Sequence, residues 1–529
     1  MNLQPVFIAG KWRTSHYLDT FQATNPRTGE KLPDLFPVSS WEELKEALDH
    51  AYQAVPLLAS LPPEAIADFL ETMASKIEAK KEIITSAAAL ETGLPQQPRL
   101  LEVELPRTID QLRQTATAVR ERSWCQATID TQRNIRAKYG PLGGVVIVIG
   151  PNNFPLAFNA VSGGDFAAAL AAGNPVLAKA HPLHPKTSQL LAQAMAVALE
   201  ESQLPPPAIQ FIYHFRPEDG FKAISHPATA AVAFTGSRTT GLAIKEVAEK
   251  SGKLAYLEMS SINPVFLLPR ALQERGARIA EEFSSSCLLG NGQFCTNPGF
   301  IVLTEGPGKE EFLQRAVDLF QNQDPGCLLG QQIQFNLEKT IQKIIKEGAI
   351  LLCGGQHLPG PGYRFEPTLL QLESQLYLQK PAVFQTEMFG PVSLLVICQN
   401  QEEMLQIATS LEGNLTASLY THSQGEDDAF YRQLEPLLRL KAGRLLNDKM
   451  PTGVAVSPAM MHGGPYPATG HPGFTSVGIP GAILRFAARH GYDNVPQDRL
   501  PPELQDENPT GRMWRFIDSR WTQASITRD

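Results

Sequence analysis

Four short apolar runs constrain this chain more than any other feature: VVIVIG at 145–150, PVLAKA at 175–180, IQFIYH at 209–214 and AAVAFTG at 230–236. Continuous aliphatic runs of this length, closed by small or turn-forming residues, suit strands covered on both faces. Between them lie helical stretches: a small, alanine-rich one from Gly163 to Gly173, another over 187–201 and a third through 241–251. Strand and helix alternating at this interval predict βαβ units, a parallel sheet and right-handed crossovers. A second alternating block runs from about 263 to 450. Upstream, Trp41 to Ala89 has helical spacing punctuated by Pro62-Pro63, and 126–142 alternates like a strand pair. The tail from about 494 is rich in Pro, Asp, Asn and Arg without a period and reads as a surface extension. No internal repeat stands out.

With 529 residues the chain exceeds one core, so two or three units are expected. A net charge of -8 argues against nucleic acid as a partner, since phosphate binding needs a basic surface. The six cysteines at 125, 287, 295, 327, 353 and 398 form no CxxC pair, and no histidine cluster has metal-ligand spacing, so no metal is expected. So few thiols suit a reducing compartment. The opening residues, MNLQPVFIAGKWRTS, lack a signal-peptide core, and no apolar run approaches the ~20 residues of a membrane helix. A cytoplasmic enzyme with no membrane partner is the expectation.

Four segments look chemical, each with a plainer reading beside it. In GNGQFCTN (290–297), two glycines allow a tight turn before Cys295, and backbone N–H groups aimed at a thiol lower its pKa; a buried structural cysteine is the alternative. In LEMSSINP (257–264), Glu258 follows an apolar stretch and could activate water against a thioester, or could be a solvated surface carboxylate. In GPNNFP (150–155), Asn153 lies just past a parallel strand, where open sheets bind ligands, and its amide suits an oxyanion hole; a turn-forming Asn is the bland case. FTGSRTTG (234–241) joins strand to helix and could hold a pyrophosphate on its N-terminus, although it is not the G-x-G-x-x-G fingerprint and a plain cap explains it too.

In their order and spacing these segments resemble the aldehyde dehydrogenase superfamily, from FIAGKW (7–12) to FTSVG (474–478), with AKAHP around Lys179 and EMFGPV (387–392) completing the set. The resemblance implies an α/β fold: a Rossmann-like cofactor domain (1–125 and 143–256), an α/β catalytic domain (257–452) and a bridging oligomerisation β-hairpin (126–142 and 453–493), before the extension at 494–529. It also implies a homodimer or homotetramer. By matching position, Cys295 is the nucleophile, Glu258 the base for the hydrolytic water, and Asn153 joins the Cys295 N–H in the oxyanion hole. Lys179 would bond the adenosine ribose, Glu387 the nicotinamide ribose, Phe389 would pack near the nicotinamide, and Gly236, Ser237 and Gly241 would line the phosphates.

Two departures bear on substrate and cofactor. Met259-Ser260-Ser261 stands where much of the superfamily has Gly-Gly, and with AHPLHP, FNAVSGGD and MHGGPYPAT (461–469) it resembles the ketoglutarate-semialdehyde and NADP-preferring branch. Yet no arginine occurs between PAT and FTSVG to clamp a substrate carboxylate, so another aldehyde stays open. Three residues after Lys179, where NAD-preferring relatives often carry a glutamate, this chain has Pro182; with His181 and Arg216 as nearby donors, NADP is expected to be preferred or tolerated, with NAD the alternative. Rival readings are a CoA-acylating dehydrogenase, which Glu258 disfavours, an inactive scaffold, and a cysteine hydrolase pairing Cys295 with His462.

Overall fold

The computed structural model describes residues 3–527. The four apolar runs form the strands Val145–Ile149, Val176–Lys179, Ile209–Ile212 and Thr229–Thr235, joined by a fifth, Leu254–Glu258. All five are parallel. Val145–Ile149 comes first in sequence but lies inside the sheet: the chain winds outward through Val176–Lys179 and Ile209–Ile212, then returns to build Thr229–Thr235 and Leu254–Glu258 on the other side. The reversal opens a crevice beyond the carboxyl ends of Val145–Ile149 and Thr229–Thr235, the place where doubly wound sheets bind ligands. Two antiparallel strands near the N-terminus, Val6–Ile8 and Lys11–Arg13, complete seven.

A buried helix, Gly164–Ala171, packs beside this sheet. Its alanines carry little side chain, so backbones approach closely; a Cβ on Gly164 would stand 2.7 Å from the Ser476 carbonyl oxygen. The helix Leu105–Glu121 lies against it, and Gln111 Nε2 donates to the Ala157 carbonyl oxygen at 2.7 Å, tying this helix to the loop after the first strand.

The second alternating block forms a separate seven-stranded sheet in the order Ile350–Cys353, Thr368–Glu373, Val392–Cys398, Phe300–Thr304, Pro264–Leu267, Asn414–Tyr420, Ala442–Asn447. Only Ile350–Cys353 runs antiparallel to its neighbour. The strand pair expected over 126–142 is present as Thr128–Asp130 and Ile135–Pro141, and Ala487–Asp493 pairs along the latter.

Two sequence expectations need correction here. Within 453–493, only Ala487–Asp493 joins the bridging sheet; the segment before it runs along the functional site. The tail is more than a surface extension. Arg515–Ile517 pairs in parallel with Thr128–Asp130, and Arg520–Thr522 folds back on it, making five strands. Leu500, Leu504 and Met513 bury against Cys125, Ala127 and Ile129. The guanidinium of fully buried Arg515 donates to the carbonyl oxygens of Gln505, Asp506 and Ala524 at 2.6, 3.1 and 3.0 Å. Three-residue strands gathered around one cation leave no hydrophobic period to read.

Among the described residues, no helix is long and apolar enough to cross a membrane.

Candidate active site

Cys295 follows a turn that requires glycine. Gly292 has φ +67°, and a Cβ there would lie 2.0 Å from the Gly390 carbonyl oxygen. Beyond the turn, Asn263 Nδ2 donates to the carbonyl oxygens of both Cys295 and Asn297 at 2.9 Å, pinning the backbone on either side of Thr296. Asn263 stands five residues after Glu258, so one short segment supplies a carboxylate and holds the thiol loop.

Glu258 ends its strand opposite Thr235, and its carbonyl oxygen accepts from Gly236 N at 3.0 Å. The segment 468–470 zips along the other edge: Met259 N donates to the Ala468 carbonyl and Gly470 N to the Leu257 carbonyl, at 2.8 and 3.0 Å. This pairing draws His462 and Ser476 onto the carboxylate. Glu258 Oε1 lies 3.1 Å from His462 Nε2, and Oε2 accepts from Ser476 Oγ at 3.2 Å. The same Nε2 is 3.5 Å from Cys295 Sγ. Glu258, Cys295 and His462 thus present ligand atoms all within 4.8 Å of one another, a spacing that also suits a thiophilic cation. Positions 258, 295 and 462 are too far apart in sequence to read as such a cluster.

Burial opposes ionisation of Glu258, but His462 and the hydrogen bonds from His462, Cys295 and Ser476 leave its carboxyl below the usual range. Cys295 moves the other way: burial, then the Glu258 charge and hydrogen bond, then Glu387, push its thiol well up, with Arg107 pulling against them. At rest the pair is a carboxylate beside a thiol. The thiol's hydrogen bond runs to Glu258, and the His462 Nε2–H is spent on the same carboxylate, so Glu258 is the group placed to take the thiol proton.

Asn153 is buried in the loop after Val145–Ile149, lining the same cleft as Cys295 and Glu258. Its Nδ2 donates to the Gln293 carbonyl oxygen at 3.0 Å, and the second amide hydrogen remains for an oxyanion.

The cleft of about 500 Å³ continues from Cys295 to Lys179, His181 and Pro182. Lys179 is buried without an ion pair or hydrogen bond among the described residues, its Nζ lying 5.8 Å from the centre of the Phe215 ring, and burial pulls its ammonium down to about 8. A buried cation without an acceptor fits a ligand offering hydroxyl oxygens, such as a ribose. Ser237 caps the helix Arg238–Lys250 by accepting from Thr240 N, and with Gly236 it presents that helix's N-terminus to the cleft. Glu387 and Phe389 line it as well; burial pushes the Glu387 carboxyl up to about 7 against the Ser260 hydroxyl and Ser261 N–H.

Two expected cofactor residues lie elsewhere. Gly241 is buried under its helix, where a Cβ would meet Met259 Sδ at 2.7 Å, so it serves helix packing rather than the cleft wall. Arg216 is exposed at the start of the helix Pro217–Ser225 and does not line the cleft. His181 does line it, but burial first, then His184 and Lys179, hold its imidazole well below its ordinary value, so it offers a neutral ring rather than a charge. His462, Ser476 and Asn263 all fall within the segments MHGGPYPAT, FTSVG and LEMSSINP, but nothing in those segments shows that they converge on Glu258 and Cys295.

The sequence model of the aldehyde dehydrogenase family matches residues 12–463. An alpha-ketoglutaric semialdehyde dehydrogenase of Azospirillum brasilense is 37% identical over 520 residues, covering 96% of this chain and 98% of the relative. One from Acinetobacter baylyi is 34% identical, covering 98% of each. Among solved structures, lactaldehyde dehydrogenase from Escherichia coli superposes with a TM-score of 0.80 at 23% identity, over 93% of this chain and 98% of that one. PnpE in complex with nicotinamide adenine dinucleotide gives 0.79 at 22% identity, over 92% and 97%.

Proposed function

Since the chain belongs to the aldehyde dehydrogenase family and oxidises an aldehyde to a carboxylic acid, we propose that it works through covalent capture on Cys295, with ketoglutarate semialdehyde as substrate and 2-oxoglutarate as product. The observation that carries this reading is one imidazole nitrogen 3.5 Å from the Cys295 sulfur and 3.1 Å from the Glu258 carboxylate.

The Cys295 thiol passes its proton to the Glu258 carboxylate as sulfur bonds the carbonyl carbon, and the carbonyl oxygen becomes an oxyanion. The free Asn153 N–H and the Cys295 backbone N–H hold that charge. The family is NAD(P)-dependent, and the dinucleotide, when bound, supplies the hydride acceptor that turns the thiohemiacetal into a thioester. Once the first proton has passed to solvent, Glu258 takes one from water, the hydroxide adds to the thioester carbon, and the sulfur leaves as a thiolate that takes the proton back from Glu258, returning the thiol and the acid. Ser476 and His462 keep the carboxylate ionised for that step.

Lys179 would bond the adenosine ribose, Gly236 and Ser237 would border the phosphates, and Glu387 and Phe389 would contact the nicotinamide ribose and ring. Among the described residues the carboxylates lining the cleft are Glu258 and Glu387, and none stands beside Pro182 to repel a 2′-phosphate; this supports NADP as the preferred nucleotide. A buried Glu258 beside the thiol favours hydrolysis over transfer to CoA. We place the enzyme in the cytoplasm as a homodimer or homotetramer.

Absorbance of reduced nicotinamide, followed with each nucleotide against ketoglutarate semialdehyde, succinic semialdehyde and medium-chain aldehydes, tests the reading. Ketoglutarate semialdehyde with NADP should give the highest kcat/KM, and Cys295→Ala none. Turnover that survives Cys295→Ala, or a strong NAD preference, would contradict the corresponding part.

A further inference from the structure

On the far side of Phe154 and Phe294 from the cofactor cleft lies a second cavity, of about 1120 Å³. The two rings meet edge to face at 5.3 Å, and Phe294 directly precedes Cys295, so this cavity comes within one residue of the thiol along the chain. Phe154 and Phe294 on its wall belong to an apolar cluster with Ala157, Phe158 and Val477, and Val454 and Met460, also on the wall, pack against that cluster. Set in that wall are three guanidinium groups, of Arg99, Arg107 and Arg444.

Their pairing differs. Arg99 is neutralised by Glu104 at 2.5 Å, and Glu104 is further occupied by the backbone N–H groups of Leu156 and Ala157. Arg444 spends Nη2 on the carbonyl oxygens of Pro451 and Gly453 and forms no ion pair among the described residues. Arg107 has no ion pair among the described residues. Its Nε and Nη2 are buried without any hydrogen-bond partner, while its guanidinium carbon lies 4.9 Å from the centre of the Phe158 ring and 5.5 Å from that of Phe154. Those two nitrogens form one edge of the guanidinium fork, the edge that grips a carboxylate with two parallel hydrogen bonds. The two ring contacts hold the guanidinium carbon in place, and this edge, covered from solvent, keeps no acceptor of its own among the described residues. The other charges on the cavity are Asp110, accepting from Gln114, Asp324, paired with Arg364, and exposed Arg27 and Lys449.

We propose that Arg107 recognises a carboxylate at the far end of the aldehyde substrate, with Arg444 adding a second positive charge on the same cavity. This rests on the Cys295-dependent oxidation proposed above. The arginine missing between PAT and FTSVG is thus supplied from the helix Leu105–Glu121, which carries no catalytic motif. Substrates of this class are oxo-acids with an aldehyde at one end and a carboxylate at the other.

The test compares 5-oxopentanoate with pentanal, equal in carbon number and differing in the terminal carboxylate. The wild-type enzyme should favour 5-oxopentanoate at least about tenfold in kcat/KM, as a charge-assisted bidentate contact implies. In Arg107→Met, which keeps an unbranched stem against the rings, that ratio should fall at least about tenfold, through KM. Arg107→Lys should fall between the two, because a point charge cannot make the fork; it also serves if the Met variant does not fold. Alkylation of the wild-type thiol gives a readout independent of turnover: iodoacetate should gain on iodoacetamide relative to a free thiol, and lose that gain in the variants. An unchanged ratio, or equal losses for both aldehydes, would overturn the assignment while leaving aldehyde oxidation intact. No oxidation of either aldehyde by the wild type would overturn both.

Discussion

Replacing Glu258 by Gln removes the charge that holds the Cys295 thiol protonated at rest. The carboxylate oxygen and the sulfur lie no more than 4.8 Å apart. Two unit charges at that distance repel by about 3.5 kcal/mol at an effective dielectric of ~20. Removing one charge therefore favours the thiolate roughly 300-fold. Part of this is returned because a less basic sulfur is a weaker nucleophile, with a Brønsted slope of about 0.4–0.5, so alkylation at neutral pH should quicken roughly 20-fold. The assay is the rate of iodoacetamide inactivation against pH: in Glu258→Gln the profile should move to lower pH. Rapid mixing with aldehyde and nucleotide should still give a burst of reduced nicotinamide, followed by turnover slowed about 100-fold or more, since water has lost its base. A slower alkylation at every pH, together with a lost burst, would mean that the Glu258 charge does not hold the thiol protonated at rest, and that reading of the pair would be wrong.

The Glu387 carboxyl, raised to about 7 by burial, predicts a pH-dependent affinity for the dinucleotide. A ribose hydroxyl donates to the carboxylate and not to the acid, so binding should tighten as pH rises through about 7 and weaken below it; equilibrium titration of Glu387→Gln should remove that dependence. The Glu258, Cys295 and His462 cluster predicts reversible inhibition by Zn²⁺. A chelator should restore activity, and His462→Gln should weaken the inhibition by about tenfold or more, measured as the shift in half-inhibitory zinc.

Much of the scaffold is legible because parallel strands buried on both faces must be apolar throughout. VVIVI, VLAK, IQFI and AAVAFT therefore stand out against the helices between them. The turn before Cys295 is legible for a related reason: no residue with a Cβ fits at Gly292. Local chemistry of this kind is written at the position where it acts. The tail is the contrary case, since its order comes from Arg515 gathering carbonyl oxygens, and no composition announces that.

The amino-acid order alone determined the alternating architecture, the thiol, the carboxylate and the amide, since each sits in a segment whose residue types carry its chemistry. Only the tertiary structure decided that His462 and Ser476 converge on Glu258, that Gly241 and Arg216 stay off the cleft, and that Arg107 faces a cavity with two donors unpaired. Convergence depends on backbone pairing between segments about two hundred residues apart, such as Met259 with Ala468, and long-range pairing of that sort leaves no mark in either segment.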